Sequence, residues 1–341
     1  MLSGAGPALR ALGELTGALL ATSAVANGLL AGDPYDLGIS GGFASPLAAQ
    51  LLGEADVVVA FGAALNQWTT GHGKLLAPDA AVVQVDLDEE AIGAHRPVML
   101  GVVGDAAATA EALVAALADR GAAGAARRTP ELSAQIAARR WRDEPYDESA
   151  TPGVLDPRTL SIALDELLPI ERTVVVDSGA FMGWPSMYLR VPDAAGFVFP
   201  QAFQCVGLAL SNAIGAALAR PDRLTVAALG DGGALMALPE FETLGRFGLP
   251  ILVLIYNDAA YGAEVHHFRP MGLPVELAQF PPTDFAALAE AAGCRGVTAR
   301  SVEDLSAVRE WLENRDRPLV LDAKVDPNIC AEWLEEAFRG H

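Results

Sequence analysis

Residues 224–258 read as strand, glycine turn with a carboxylate, helix, strand, and a second polar tip. Leu224-Thr225-Val226-Ala227-Ala228-Leu229 is a buried strand that feeds Gly230-Asp231-Gly232-Gly233. An amphipathic helix pattern follows, then the apolar run Leu249-Pro250-Ile251-Leu252-Val253-Leu254-Ile255. Asn257-Asp258 comes after a gap of 24 residues from Gly232. Two strands joined through a helix lie parallel, so their carboxyl ends share one sheet edge. Ligands of open α/β sheets bind at that edge. Oxygen-bearing tips there suit a hard divalent cation that also holds a diphosphate. A carboxylate makes little sense beside bare phosphate, but a Mg²⁺ between them reverses the local electrostatics. Glycines let the backbone approach phosphate oxygens, and the helix start that follows favours anions. Taken singly, each turn has a plainer reading, because Asp-Gly is a frequent turn pair. The combination at this spacing is what points to a site.

The same alternation runs through the rest of the 341 residues. It predicts an α/β chain of two doubly wound parallel-sheet domains. In residues 1–120 the expected elements are a helix over 7–20, a buried strand over 55–62, a strand over 81–86 and a helix over 106–117. Residues 121–155 read as a linker with some helix. There Ala122, Ala123, Gly124, Ala125 and Ala126 lead to Arg127-Arg128 and then to a charged stretch over 139–148. The second domain, 156–341, restarts with a helix over 160–168. A strand runs into Asp177-Ser178-Gly179, a small-residue helix spans 209–219, and a helix over 285–292 precedes a late strand over 318–323.

Composition excludes several classes. Apolar residues make up 52% and charged residues 19%, which argues for a large core and against disorder. Lys and Arg total 23 against 43 Asp and Glu, a net of −20, so nucleic acid is not an expected partner. Residues 15–32 carry no charge, yet Arg10 and Glu14 precede them where a signal sequence would have a basic segment. Thr16, Thr22, Ser23 and Asn27 make the stretch too polar to span a membrane. Cys205, Cys294 and Cys330 show no paired spacing, and a reducing cytoplasm fits. Ser3-Gly4-Ala5-Gly6-Pro7 follows no strand, which disfavours a plain dinucleotide-binding protein.

Gly230-Asp231-Gly232, the 24-residue gap, Asn257-Asp258 and Tyr261-Gly262 together resemble the thiamine diphosphate motif of the acetolactate synthase and pyruvate decarboxylase superfamily. Supporting segments are 210–217, Glu240-Phe241-Glu242-Thr243 and 317–321. The first domain is similar to that family's central domain through 55–62 and Val85-Asp86-Leu87-Asp88. The resemblance implies thiamine diphosphate and Mg²⁺ as cofactors. Asp231 and Asp258 would be metal ligands, with the backbone carbonyl of Ala260 completing the protein's share. The family usually has Asn where Asp258 stands, so the site would be one charge more negative. Gly230, Asn257 and Tyr261 belong to the cofactor motif, and Ser178, Gly179, Gly232 and Gly233 would face the diphosphate. Val206 falls where the family places an apolar residue beneath the thiazolium; an ordinary core valine is the alternative. Glu264 falls where some decarboxylases of the family carry a proton-transferring glutamate; a solvated helix glutamate is the alternative. His266 and His267 point about 100° apart on a helix, so one site does not use both.

The family has a further, pyrimidine-binding domain whose glutamate enables deprotonation of the cofactor, and Glu14 and Glu54 are poor substitutes for it. The resemblance therefore implies a separate pyrimidine-domain chain, a homodimer or heterotetramer, a small 2-oxo acid substrate, and little turnover by this chain alone. FAD, which some members carry in the central domain, is left open by the residues. A non-catalytic binding or regulatory protein derived from such an enzyme is the competing expectation.

Overall fold

A computed structural model describes residues 1–122, 124, 127–148, 151–203 and 205–337. Of the expected linker, Ala123, Ala125, Ala126, Ser149 and Ala150 lie outside them. The chain forms two compact units, Met1–Glu144 and Pro145–His341. All strand pairs in both are parallel, as βα alternation requires.

The first unit contains β1 (Leu20–Thr22), β2 (Asp36–Ile39), β3 (Val57–Phe61), β4 (Ala81–Asp86) and β5 (Leu100–Val103). β1 pairs with β2, and the other three form a sheet in the order β3-β4-β5. The first helix, Gly6–Thr16, is shorter than expected because Gly17 adopts the left-handed conformation that ends helices, at φ +74°. The helix Ala106–Asp119 starts at Asp105, whose carboxylate accepts from the Ala107 and Ala108 N–H groups. Two expectations change here. The buried strand expected around residues 55–62 is the edge strand of its sheet, pairing with β4 alone among the described residues, and Val57 and Val59 are exposed. Much of the expected linker is integral to the unit. Its helix Pro130–Ala138 places Ile136 among Leu37, Leu47 and Leu51, and the Trp141 indole donates to the Phe43 carbonyl at 2.7 Å.

The second unit holds β6 (Arg172–Val176), β7 (Phe197–Val198), β8 (Leu224–Gly230), β9 (Ile251–Asn257), β10 (Arg295–Ala299) and β11 (Leu319–Lys324), in the order β10-β11-β9-β8-β6-β7. Val226, Val253 and Val320, on three of its four inner strands, are fully buried. Such runs are what a sheet covered on both faces demands. The helix Ala209–Ala219 packs Leu210 and Ala213 into this core. The single helix expected between β8 and β9 is two, Asp231–Met236 and Pro239–Phe247: the helical backbone breaks at Ala237, at φ −96° and ψ +10°, and Pro239 opens the second helix, where a missing N–H costs nothing. In the register of β8 and β9, Gly230 faces Tyr256. Asp231 and Asn257 therefore leave the sheet at the same level.

Candidate functional site

Two carboxylates meet beyond the carboxyl ends of β8 and β9. Asp231 opens the helix Asp231–Met236 and accepts from the Gly232 N–H at 2.8 Å. The Ala260 N–H donates to Asp231 Oδ2 at 3.0 Å and to Asp258 Oδ1 at 3.2 Å. One peptide donor thus holds both side chains. The turn that achieves this passes through Ala259 at φ +59°, a left-handed conformation costing a non-glycine residue roughly 1–2 kcal/mol. Hydrogen bonds on both sides hold it there. Phe280 N–H donates to the Ala259 carbonyl at 2.7 Å, and Tyr261 N–H to the Ala278 carbonyl at 2.8 Å. Asn257 Oδ1 accepts from the Ala259 N–H at 3.2 Å.

Burial pushes the Asp231 carboxyl up to about 6. It pushes Asp258 up to about 8, with the neighbouring Asp231 charge adding to the effect. Among the described residues, no Lys or Arg is ion-paired with either group, and no donor is hydrogen-bonded to the Ala260 carbonyl. Two carboxylates and a spare peptide carbonyl make an all-oxygen donor set of the kind Mg²⁺ accepts. The residues fit a hard divalent cation, whose charge would relieve the repulsion between the two aspartates.

Asn257 is committed elsewhere. Its amide donates to Asp322 Oδ1 at 2.8 Å, and Asp322 also accepts from the Phe285 N–H and pairs with Lys324. Asn257 therefore acts on the site through the turn it braces.

The glycines have a packing reason that their sequence context hides. A Cβ on Gly230 would stand 3.0 Å from the Phe181 ring, and one on Gly232 would stand 2.4 Å from the Tyr261 ring. One on Gly233 would stand 2.4 Å from Asp177 Oδ2 and 3.5 Å from Val206. Gly179, at φ +148°, lies against the same edge of Phe181. The structure thus gathers Gly179, Gly230, Gly232, Gly233, Val206 and Tyr261 around Asp231. Ser178 donates to Gln201. Glu264 is exposed on the helix Gly262–Phe268. Asp258, Ala259, Ala260, Gly262, Val265 and Arg269 line a cavity of about 300 Å³ that Glu264 does not reach. His266 lines a smaller pocket with Phe181 and Asp258, and His267 packs edge-on against Phe268.

Two residues carry more than their sequence context suggests. Asp177 is fully buried and accepts the Gly207 N–H with both oxygens, at 3.1 and 2.9 Å. Burial raises its carboxyl, and the N–H groups of Ser178, Gly207, Leu208 and Ala209 oppose that rise. It caps the helix Ala209–Ala219 and sets Val206 beside Gly233. The signal was available: Leu208, at the N-cap, has no side chain that caps. Phe181 stacks on Tyr256 at 5.6 Å; nothing local in the sequence sets that ring beside Gly230.

Residues 177–323 match the family described as thiamine pyrophosphate enzyme, C-terminal TPP binding domain. Residues 1–113 match thiamine pyrophosphate enzyme, central domain. The sulfoacetaldehyde acetyltransferase of Rhodobacter capsulatus is 31% identical over 334 residues, covering 87% of this chain and 55% of that protein. The acetolactate synthase of Mycobacterium leprae is 27% identical over 339 residues, covering 95% and 54%. The chain thus spans about half the length of the curated relatives it matches. Among solved structures, the thiamine diphosphate-dependent 4-hydroxybenzoylformate decarboxylase of Rhodococcus jostii RHA1 superposes with a TM-score of 0.74 at 21% identity. That match covers 95% of this chain and 59% of the other, and at this identity it speaks to fold alone.

Proposed function

The chain belongs to the thiamine pyrophosphate enzyme family, and from that premise we propose that it supplies the diphosphate- and Mg²⁺-binding part of an acetolactate synthase-like 2-oxo acid decarboxylase or carboligase. The observation that carries this reading is the convergence of Asp231 and Asp258 on the Ala260 N–H at the carboxyl edge of β8 and β9. Asp231, Asp258 and the Ala260 carbonyl would hold Mg²⁺. Thiamine diphosphate, when bound, supplies carbanion stabilisation, and the protein supplies binding, orientation and proton transfer. Asp177 keeps Val206 against Gly233, where an apolar side chain would support the cofactor's ring. Glu264 would hold or hand over a proton at the substrate once another surface covers it, since it is exposed in this chain.

The pyrimidine half of the site would come from a separate chain, within a heterotetramer or a homodimer of composite units. The assembly would work in the cytoplasm, where the three free thiols stay reduced. Among the described residues, no helix is long and apolar enough to cross a membrane. The test compares 2-oxo acid decarboxylation by this chain alone, saturated with thiamine diphosphate and Mg²⁺, with its activity in the complex purified from its source. Normal turnover by the isolated chain would sink the divided-site reading. A longer form carrying the missing half in the same polypeptide would replace it.

One observation favours a second reading, a non-catalytic regulatory protein derived from such an enzyme. The turn after β6 continues as Ala180-Phe181, and the Phe181 ring lies against Gly179 and Gly230 where the diphosphate would approach. Absence of Mg²⁺-dependent thiamine diphosphate binding in the complex would favour that reading.

A further inference from the structure

We propose that this chain takes up its divalent cation without the diphosphate cofactor, because its donor set carries two carboxylates. The inference rests on the thiamine pyrophosphate reading of the site and concerns how that site is loaded. Mg²⁺ is commonly held by one or two carboxylates together with the phosphates of a bound ligand. With one aspartate and one amide, a bound dication keeps a net positive charge until a diphosphate joins it. With Asp231 and Asp258, the protein neutralises the dication by itself.

The geometry supports this in three ways. The two carboxyl groups share one N–H, that of Ala260, at 3.0 and 3.2 Å, so the fold has already brought both oxygen donors together. Among the described residues no Lys or Arg is ion-paired with either, and Asp231 is only 3% exposed. The space for the second carboxylate is kept clear by Gly262, where a Cβ would stand 2.4 Å from Asp258 Oδ2. The Ala260 carbonyl, which takes no hydrogen bond among the described residues, adds a third oxygen donor. The work of assembling the repulsive pair is done during folding, so a dication binding to the free chain recovers it. A second consequence has the opposite sign. A cation neutralised by two aspartates attracts a diphosphate less than one held by a single aspartate.

Mn²⁺ serves as the probe, since its free ion is counted directly by electron paramagnetic resonance. The full chain, free of thiamine diphosphate, should bind one Mn²⁺ that Mg²⁺ displaces. Asp258→Asn should weaken that binding at least tenfold, and adding thiamine diphosphate should restore Mn²⁺ uptake to the variant. Thermal melting guards against misfolding. Without metal, Asp258→Asn should melt no lower than the wild type, because it loses a like-charge contact and retains an acceptor for the Ala260 N–H. Mn²⁺ should then raise the melting temperature of the wild type but not of the variant. Wild-type uptake of Mn²⁺ only in the presence of thiamine diphosphate would overturn cation-first loading and leave the family reading intact. Cofactor-free uptake unchanged by Asp258→Asn would also overturn it. A chain that binds neither Mn²⁺ nor thiamine diphosphate, even together, would overturn both readings.

Discussion

The three-stranded and six-stranded parallel sheets of this chain are written in similar residues and end in different environments. β3 reads Val-Val-Val-Ala-Phe and β9 reads Ile-Leu-Val-Leu-Ile-Tyr-Asn. Every residue of β9 is buried, whereas Val57 and Val59 of β3 are 53% and 40% exposed. β9 sits between β11 and β8, with helices packed on its sheet. β3 is the edge of a three-stranded sheet. An apolar run reports that a strand is able to be buried; neighbouring strands and covering helices decide whether it is. The difference also separates roles. The second unit's covered sheet carries the Asp231 and Asp258 turns at the carboxyl edge of β8 and β9.

The sharpest way to break this comparison is a charge in each strand. Val253→Asp would bury an unpaired carboxylate in β9 and should cost more than about 4 kcal/mol, enough to unfold the second unit in chemical denaturation. Val57→Asp in β3 should change stability by less than about 0.5 kcal/mol. Equal effects would show that the two sheets are equally covered in solution.

Glycine substitutions should give the next largest contrast. A Cβ on Gly245 would stand 1.9 Å from the Ala292 carbonyl oxygen, so Gly245→Ala should cost about 3 kcal/mol by overpacking. Gly62, at φ +58° with open space around it, should cost only about 1 kcal/mol as Ala, through backbone strain alone. Urea unfolding of both variants measures the difference.

Ile136→Ala should lower the stability of the first unit by about 2 kcal/mol, the low end for such truncations because its cluster is small. An unchanged midpoint would return residues 130–138 to the status of a linker.

The smallest effect concerns pH. The Arg223 guanidinium hydrogen-bonds Asp193 and holds its carboxyl below the ordinary carboxylate value. A depressed folded-state value contributes stability at pH above the ordinary value, and that contribution is lost as pH falls through the depressed one. Asp193→Asn should therefore lower the melting temperature near neutral pH by no more than about 2 °C and should flatten the acid side of the stability profile. A steeper acid profile in the variant would contradict the sign.

Much of the site was legible because its residues are local to strand ends. β8, its glycine turn and Asp231 follow from an apolar run broken by Gly-Asp-Gly, and the helix Ala209–Ala219 is bounded as its small residues suggest. Asp258 and Ala260 were expected from the resemblance, and the structure sets both beside Asp231. The partners of these residues were not legible. Asn257 looks like a ligand beside Asp258, yet it binds Asp322, 65 residues away. Phe181 and Tyr261 fill the space above Gly230 and Gly232, so the same glycines serve aromatic packing that no local pattern encodes.

By itself, the sequence determined the parallel α/β class, the most apolar strands and the two aspartates after neighbouring strands, because these depend on hydrophobic period, turn chemistry and spacing along the chain. Only the tertiary structure decided that one Ala260 N–H holds both carboxylates, that Asn257 turns away from them, and that β3 lies open while β9 is covered. Those outcomes depend on register and on contacts between distant segments. A side chain's nearest neighbours in space are set by the whole fold, and with them its charge environment.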